Sequence, residues 1–280
     1  MPKMSDPLFA DATLDTAQLH ALFQITHNTP FLRLAISSEN AETLKQSLGI
    51  PIRRCYITDD LLHQRAKELS LSLNDVLATK LPDAGSTMSG DFGEILTYLY
   101  HLGTQNQQAA FGPKKWRLKQ DRTKPAPYSD VVHFLLPSWP SSTDQDELLC
   151  SEVKTKATDG ASLPISNAIS DSQKDATSRL ARTLVWLRER AISDGLEDVS
   201  LDHLDRFINA IDHPSFKKSF YAVAVICGDL VESEIIADPP LLVKGHTLLL
   251  IVVPKLKDVY TAAFESAKTS VASEAEEGLA

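Results

Sequence analysis

With 280 residues, 43% of them hydrophobic and 23% charged, the chain has the apolar content of one large soluble domain or a domain with an appendage. The longest apolar run, Leu248-Leu249-Leu250-Ile251-Val252-Val253, is too short to span a bilayer. The scattered Cys55, Cys150 and Cys227 argue for a reducing compartment and against a zinc site. A formal charge of −9 excludes capture of nucleic acid by the overall field, so such a role needs a local basic surface or a partner.

Met1-Pro2-Lys3-Met4-Ser5-Asp6 lacks the apolar core of a secretory signal, so the expectation is a cytoplasmic protein without membrane contact. Residues 1–17 read as polar and loose, residues 31–36 as a strand and residues 51–58 as another. Asp59 or Asp60 caps a helix to about Leu69, with Leu62, Ala66 and Leu69 on one face. Ser72 caps a short helix holding Val76 and Leu77. That second helix lacks the basic residues of a recognition helix, which sets a helix-turn-helix aside. Residues 83–90 form a polar, glycine-containing hinge, so 1–85 is expected to be an N-terminal α/β extension. A helix then carries Phe92, Ile95, Leu96, Leu99 and Leu102 at helical spacing and stops at Gly103. Asp91 followed by Glu94 is close to a capping box, a role that needs no further function.

After a loop at 104–113 comes Lys114-Lys115-Trp116-Arg117-Leu118-Lys119. In an extended conformation Lys115, Arg117 and Lys119, with Lys114 beside them, line one face. This is either a phosphate-contacting edge or a solvated edge strand whose lysines oppose aggregation. Residues 130–136 and 147–156 are two strands joined by a polar hairpin-type connection. Glu152 and Lys154 share a face of the second strand. Pairing Asp130 with either of them turns it toward both, whereas pairing it with Val153 turns it away; the sequence permits either register. Leu148, Leu149 and Val153 make this strand largely apolar, so its charges need a partner, a metal or a structural ion pair. Two carboxylates and a lysine suit Mg²⁺ and an activated water against a phosphodiester, which makes a nuclease the leading reading. His133 alternates away from Asp130, and neither a nucleophile elbow nor a phosphate-cradling glycine loop is present.

A long helix spans about 166–191 with Ile169, Ala176, Leu180, Leu184 and Leu187 inward, and a helical piece covers 201–211. Strands at 221–227 and 248–253, a helix over 255–267 and an acidic tail at 268–280 complete the chain. This order implies an α/β or α+β domain, a mixed central sheet flanked by helices.

Gly90-Asp91-Phe92-Gly93-Glu94 opening a helix, Ser129-Asp130-Val131-Val132 and Ser151-Glu152-Val153-Lys154 stand in the order of the PD-(D/E)xK nuclease superfamily. From about Ser86 to Phe264 the chain most resembles the HamA family, the nuclease component of Hachiman anti-phage systems. The long helix carrying Ser172-Gln173-Lys174-Asp175 contributes to this resemblance. Glu94 falls on the family's first-helix acid, Asp130 on its central aspartate, and Glu152 and Lys154 on its E-x-K pair. Ser129 stands where the superfamily name has proline. The resemblance implies a restriction-endonuclease-like core over 86–267 and Mg²⁺ or Mn²⁺ bound by Asp130, Glu152 and Glu94. It implies that Lys154 orients water, and that a superfamily 2-type helicase (HamB-like) restrains the nuclease until DNA triggers it. Residues 1–85 are then the expected docking part. The rival class is a non-catalytic adaptor on the same fold. A small-substrate acid–base enzyme using Glu94 and Glu152 lacks any pocket signature.

Overall fold

The structure, a computed structural model, describes residues 7–104, 110–241 and 243–271. Over these residues the strands are β1 (Phe23–Asn28), β2 (Phe31–Ile36), β3 (Val131–Leu135), β4 (Glu147–Lys156), β5 (Lys217–Cys227) and β6 (His246–Val253). They form one mixed sheet in the order β1-β2-β6-β5-β4-β3. Its inner members β2, β6, β5 and β4 run parallel, while β1 and β3 close the edges antiparallel.

Helices α1 (Thr16–Ala21), α2 (Ser38–Ser47), α3 (Gly49–Tyr56), α4 (Asp59–Leu69), α5 (Leu73–Ala78) and α6 (Ser86–Thr104) precede β3. Helices α7 (Pro164–Lys174), α8 (Leu180–Ser193) and α9 (Leu201–Ile208) lead from β4 to β5. Helix α10 (Val231–Ala237) links β5 to β6, and α11 (Leu256–Thr269) follows β6. β5 is buried on both faces, as central parallel strands are. Val223, Val225 and Cys227 meet the core under α6 and α11, while Ala222, Ala224 and Ile226 meet the core under α7 and α10. The result is a three-layer α/β sandwich, the mixed sheet expected.

The segment 1–85 is not a separate extension. β2 pairs with β6, α2 and α3 pack on α11, and Leu44, Ile52, Val223 and Phe264 share one core. No structural boundary falls at 85/86. Residues 7–17, expected to be loose, anchor Leu8, Phe9 and Leu14 in that core. The strand expected at 51–58 is helix α3. Pro51 sits in its first turn, where a missing N–H breaks no hydrogen bond, and Ile52, Cys55 and Tyr56 are buried at helical spacing. Thr58, rather than Asp59 or Asp60, caps α4, and Leu69 on that helix is exposed. The hinge at 83–90 is half helix, because α6 starts at Ser86 directly after Gly85, whose φ is +146°. β1 went unforeseen because it is an edge strand with only Phe23 buried, so it shows no apolar alternation. Residues 1–6, residues 105–109 of the expected loop and the tail from 272 lie outside the described residues.

The helix expected over 166–191 is two helices joined by a π turn, Asp175–Arg179. A π turn holds an extra residue and rotates the following face. Ala176, expected inward, is therefore exposed and Asp175 is buried, while Leu180, Leu184 and Leu187 still reach the core.

Close approach of α6 to β4 depends on Gly93, where an added Cβ would run into the Thr155 hydroxyl and touch Val153. Gly93→Ala is expected to destabilise by about 1–3 kcal/mol, and Thr155→Ala in the same chain should recover most of that loss. Thermal unfolding of both variants checks it; a single variant with unchanged stability would show that α6 need not approach so closely.

Candidate functional site

β3 and β4 form a hairpin pairing Val131 with Ser151 and Val132 with Cys150. Continued by one residue, this register sets Asp130 opposite Glu152, the alternative that turns Asp130 toward both Glu152 and Lys154. Asp130 lies just ahead of β3, and its Oδ2 accepts the Val153 N–H at 2.8 Å. On the other side of β4, Ala222 and Ala224 stand next to Glu152 and Lys154 in the ladder. Their small side chains leave room on that face for two long charged ones.

Glu152 is buried, and both its oxygens are taken. Oε1 accepts from Lys154 Nζ at 2.6 Å and Oε2 from an Arg179 Nη at 2.8 Å. Lys154 also meets Asp171 at 2.8 Å, and Arg179 reaches Asp171 at 3.6 Å and Asp175 at 3.4 Å. Asp171, Asp175 and Arg179 went unrecognised as members of this cluster. At i, i+4 spacing they read as ordinary helix-surface charges, and only the π turn directs Asp175 inward. Ser129 explains the missing proline. Its hydroxyl donates to Asp175 Oδ1 at 2.9 Å and its backbone N–H donates to Thr183 Oγ1 at 3.2 Å. Proline has neither donor, so here serine docks the start of β3 onto the helix pair.

The acids are poised against their own charge. Burial first, and then the Asp130 charge, pushes Glu152 up to about 7. Burial and the Glu152 charge push Asp175 to about 7. Asp130 is raised by burial, against the pull of Lys154, the Val153 amide and Lys115. Against its own partial burial, Lys154 is held above the usual lysine range by Glu152 and Asp130. Asp171 resists burial and is brought down to about 2 by Lys154 and Lys174.

Glu94 comes from α6 and is buried, its Oε2 accepting the Trp116 indole N–H at 3.1 Å. Burial and then the Asp130 charge raise it well above the carboxylate range, so it belongs electrostatically to the same cluster. Asp91 does not cap α6. It lies in the second turn, buried, where Lys119 bridges it at 2.6 Å and the Tyr56 hydroxyl donates to it at 2.6 Å. His133 is buried away from the acids against Tyr98, as its alternation implied.

The basic segment is not an extended strand. Lys115–Leu118 form a 3₁₀ turn that buries Trp116 between Tyr98 and Glu94. Lys115 turns inward and donates to the Ser129 carbonyl. Lys114 pairs with Asp198 at 2.6 Å, and Arg117 with Glu197 at 2.9 Å and the Arg54 carbonyl at 2.6 Å. The single solvated face expected of Lys115, Arg117 and Lys119 does not form, because internal carboxylates and the tryptophan claim the segment.

Asp130, Glu152 and Glu94 offer hard carboxylate oxygens, and their mutual repulsion is what a divalent cation relieves, so the donor set fits Mg²⁺ or Mn²⁺. As they stand, among the described residues, no three His, Cys, Asp or Glu groups converge into a ligand set. The cations Lys154 and Arg179 occupy the oxygens a metal needs.

Fold and site together define a mixed α/β sandwich with an acid–lysine cluster where its antiparallel edge hairpin meets the parallel strands. The HamA family model matches residues 12–267, across the former 85/86 division, and the chain belongs to the HamA family of Hachiman defence components. No curated protein matches the sequence. Among the described residues no helix is long and apolar enough to cross a membrane.

Proposed function

We propose that the chain is the nuclease subunit of its defence system, a metal-dependent phosphodiesterase acting on DNA. The observation that supports this most is the β3–β4 register, which continued by one residue sets Asp130 opposite Glu152, with Lys154 on the same face and itself lining a cleft of about 700 Å³. The cleft opens beyond the carboxyl end of β4, the place where open α/β sheets take ligands. Ser86 and Ser89 from the first turn of α6 and Lys257 from α11 line it. Helix-start amides and a lysine suit phosphate oxygens.

Asp130 and Glu152, with Glu94 behind them, would hold Mg²⁺ or Mn²⁺. When bound, the ion supplies a Lewis acid and a water of lowered pKa. Lys154, kept charged by Glu152 and Asp130, orients the attacking water and offsets charge gathering on the phosphate. Glu152 must first release an oxygen, and Arg179 is the partner that can leave, since Asp171 and Asp175 already lie within its reach. The closed arrangement is thus a resting state. In this reading a superfamily 2-type helicase docked on the 1–85 segment opens it when DNA is engaged, and the exposed edge β1 offers a surface there.

The same closure favours a second reading, a non-catalytic adaptor whose ion pairs only hold α7 and α8 to the sheet. Incubation with linear, nicked and supercoiled DNA in Mg²⁺ or in EDTA, with and without the partner helicase, separates the two. Magnesium-dependent cleavage in the complex is expected. Intact DNA in every arm, with the complex formed, would leave the adaptor.

A further inference from the structure

A second cleft lies on the far side of the 3₁₀ turn from the acids, with a volume of about 520 Å³. Its walls come from α4, the turn after α5, residues 113–120 and the end of α8 with the segment after it. That volume is ample for a mononucleotide-sized ligand.

Most of its cations are neutralised from within. Lys114 and Arg117 share Asp198 and Glu197, Lys119 holds Asp91, and Arg190 meets Asp194 at 3.0 Å. Arg65 and Lys80 are different. Both line the cleft, both are half-buried, and neither has a carboxylate or hydrogen-bond partner among the described residues. Both belong to one cleft, and burial and then the Arg65 charge lower the Lys80 ammonium. Two unpaired like charges in one cleft repel each other, and an anion from outside placed between them relieves that repulsion. Leu61, Leu118 and Leu196 add apolar wall beside these cations, so the cleft offers charge for a phosphate and a dry surface for a ring.

We propose that this cleft binds a phosphate-bearing nucleotide, its phosphate between Arg65 and Lys80 and its base against the leucines. The phosphate can belong to a free nucleotide or to the 5′ end of a nucleic-acid strand. The site stands apart from the cleft at Lys154 and does not depend on the acids cutting DNA.

Isothermal titration calorimetry on the full chain in EDTA tests it, with ADP, adenosine, a 5′-phosphorylated dinucleotide and its 5′-hydroxyl counterpart as probes. ADP or the phosphorylated dinucleotide should bind, and the one that binds more tightly identifies the source. Adenosine and the 5′-hydroxyl dinucleotide should bind at least about tenfold more weakly. The Arg65→Gln, Lys80→Gln double variant should lose at least about tenfold in affinity for the phosphorylated probe and unfold no earlier than the parent chain, because it removes a repulsion. Glu152→Gln should bind as the parent does, which separates this site from the acid cluster. Equal affinity for adenosine and ADP, unchanged affinity in the double variant, or no heat from any probe at millimolar concentration would each overturn the proposal. Tighter binding of a tetraglutamate peptide than of ADP would overturn it in favour of a protein segment.

Discussion

Glu152→Gln and Lys154→Ala should each lower magnesium-dependent DNA cleavage by about 10²–10⁴-fold while leaving the fold in place. The two residues act at one point. In the proposed mechanism Glu152 would lend an oxygen to the metal and Lys154 would align water against the phosphate, so removing either disables the same step and their losses should not add. The fold survives because burial already drives Glu152 toward its neutral form, with its carboxyl at about 7. A glutamine there keeps an acceptor for Lys154 or Arg179. In Lys154→Ala, Arg179 still covers Glu152 at 2.8 Å, and protonation of Glu152 limits the charge left stranded. Initial cleavage rates of the helicase complex, measured beside thermal unfolding of each variant, supply the check. Parent-like rates for both variants in an active complex would sink the metal-nuclease assignment.

The cluster was legible where its chemistry follows from strand periodicity. Glu152 and Lys154 had to share a face once 147–156 was a strand, and the apolar Leu148, Leu149 and Val153 marked that strand as internal. The register of Asp130 was open in the sequence. In the structure Val131 pairs with Ser151, because Val132, Phe134, Leu148 and Cys150 enter one core together, and a one-residue slip would send them to the opposite face. The basic segment misled for the opposite reason. Alternating Lys115, Arg117 and Lys119 imitates an edge strand, and nothing local announces that Asp91 and Asp198, distant in sequence, neutralise it from inside. Arg179 and Asp175 were out of reach because a π turn has no compositional mark. The parallel pairing of β2 with β6 likewise joins residues far apart in the chain, so 1–85 looked detachable when it is part of the sheet.

The metal-free protein should lose stability as pH rises from about 4 to about 7, and magnesium should restore it on the alkaline side only once the helicase has opened the site. Glu152 and Asp175 both titrate near 7 in the folded chain, pushed up by burial and by neighbouring carboxylates. Unfolded, they release their protons at ordinary carboxylate values near 4. Between those limits the folded state holds protons that the unfolded state has shed, so raising the pH favours unfolding until both groups are ionised, and the effect then levels off. At about 1.4 kcal/mol per pKa unit each group alone accounts for a loss on the order of 3–4 kcal/mol, and because the two are coupled the combined loss is smaller than their sum. Chemical denaturation at pH 5 and pH 8 should show this difference in the parent chain and a smaller one in the Glu152→Gln, Asp175→Asn double variant. Magnesium adds a second arm, because a cation competes with protons for the same oxygens. It should stabilise the helicase complex at pH 8, have little effect there at pH 5, and fail with Asp130→Asn, whereas the chain alone, its Glu152 oxygens held by Lys154 and Arg179, should respond little. Identical pH profiles in parent and double variant would defeat the titration argument. A chain alone that magnesium stabilises at pH 8 as strongly as it does the complex would instead count against the closed resting state.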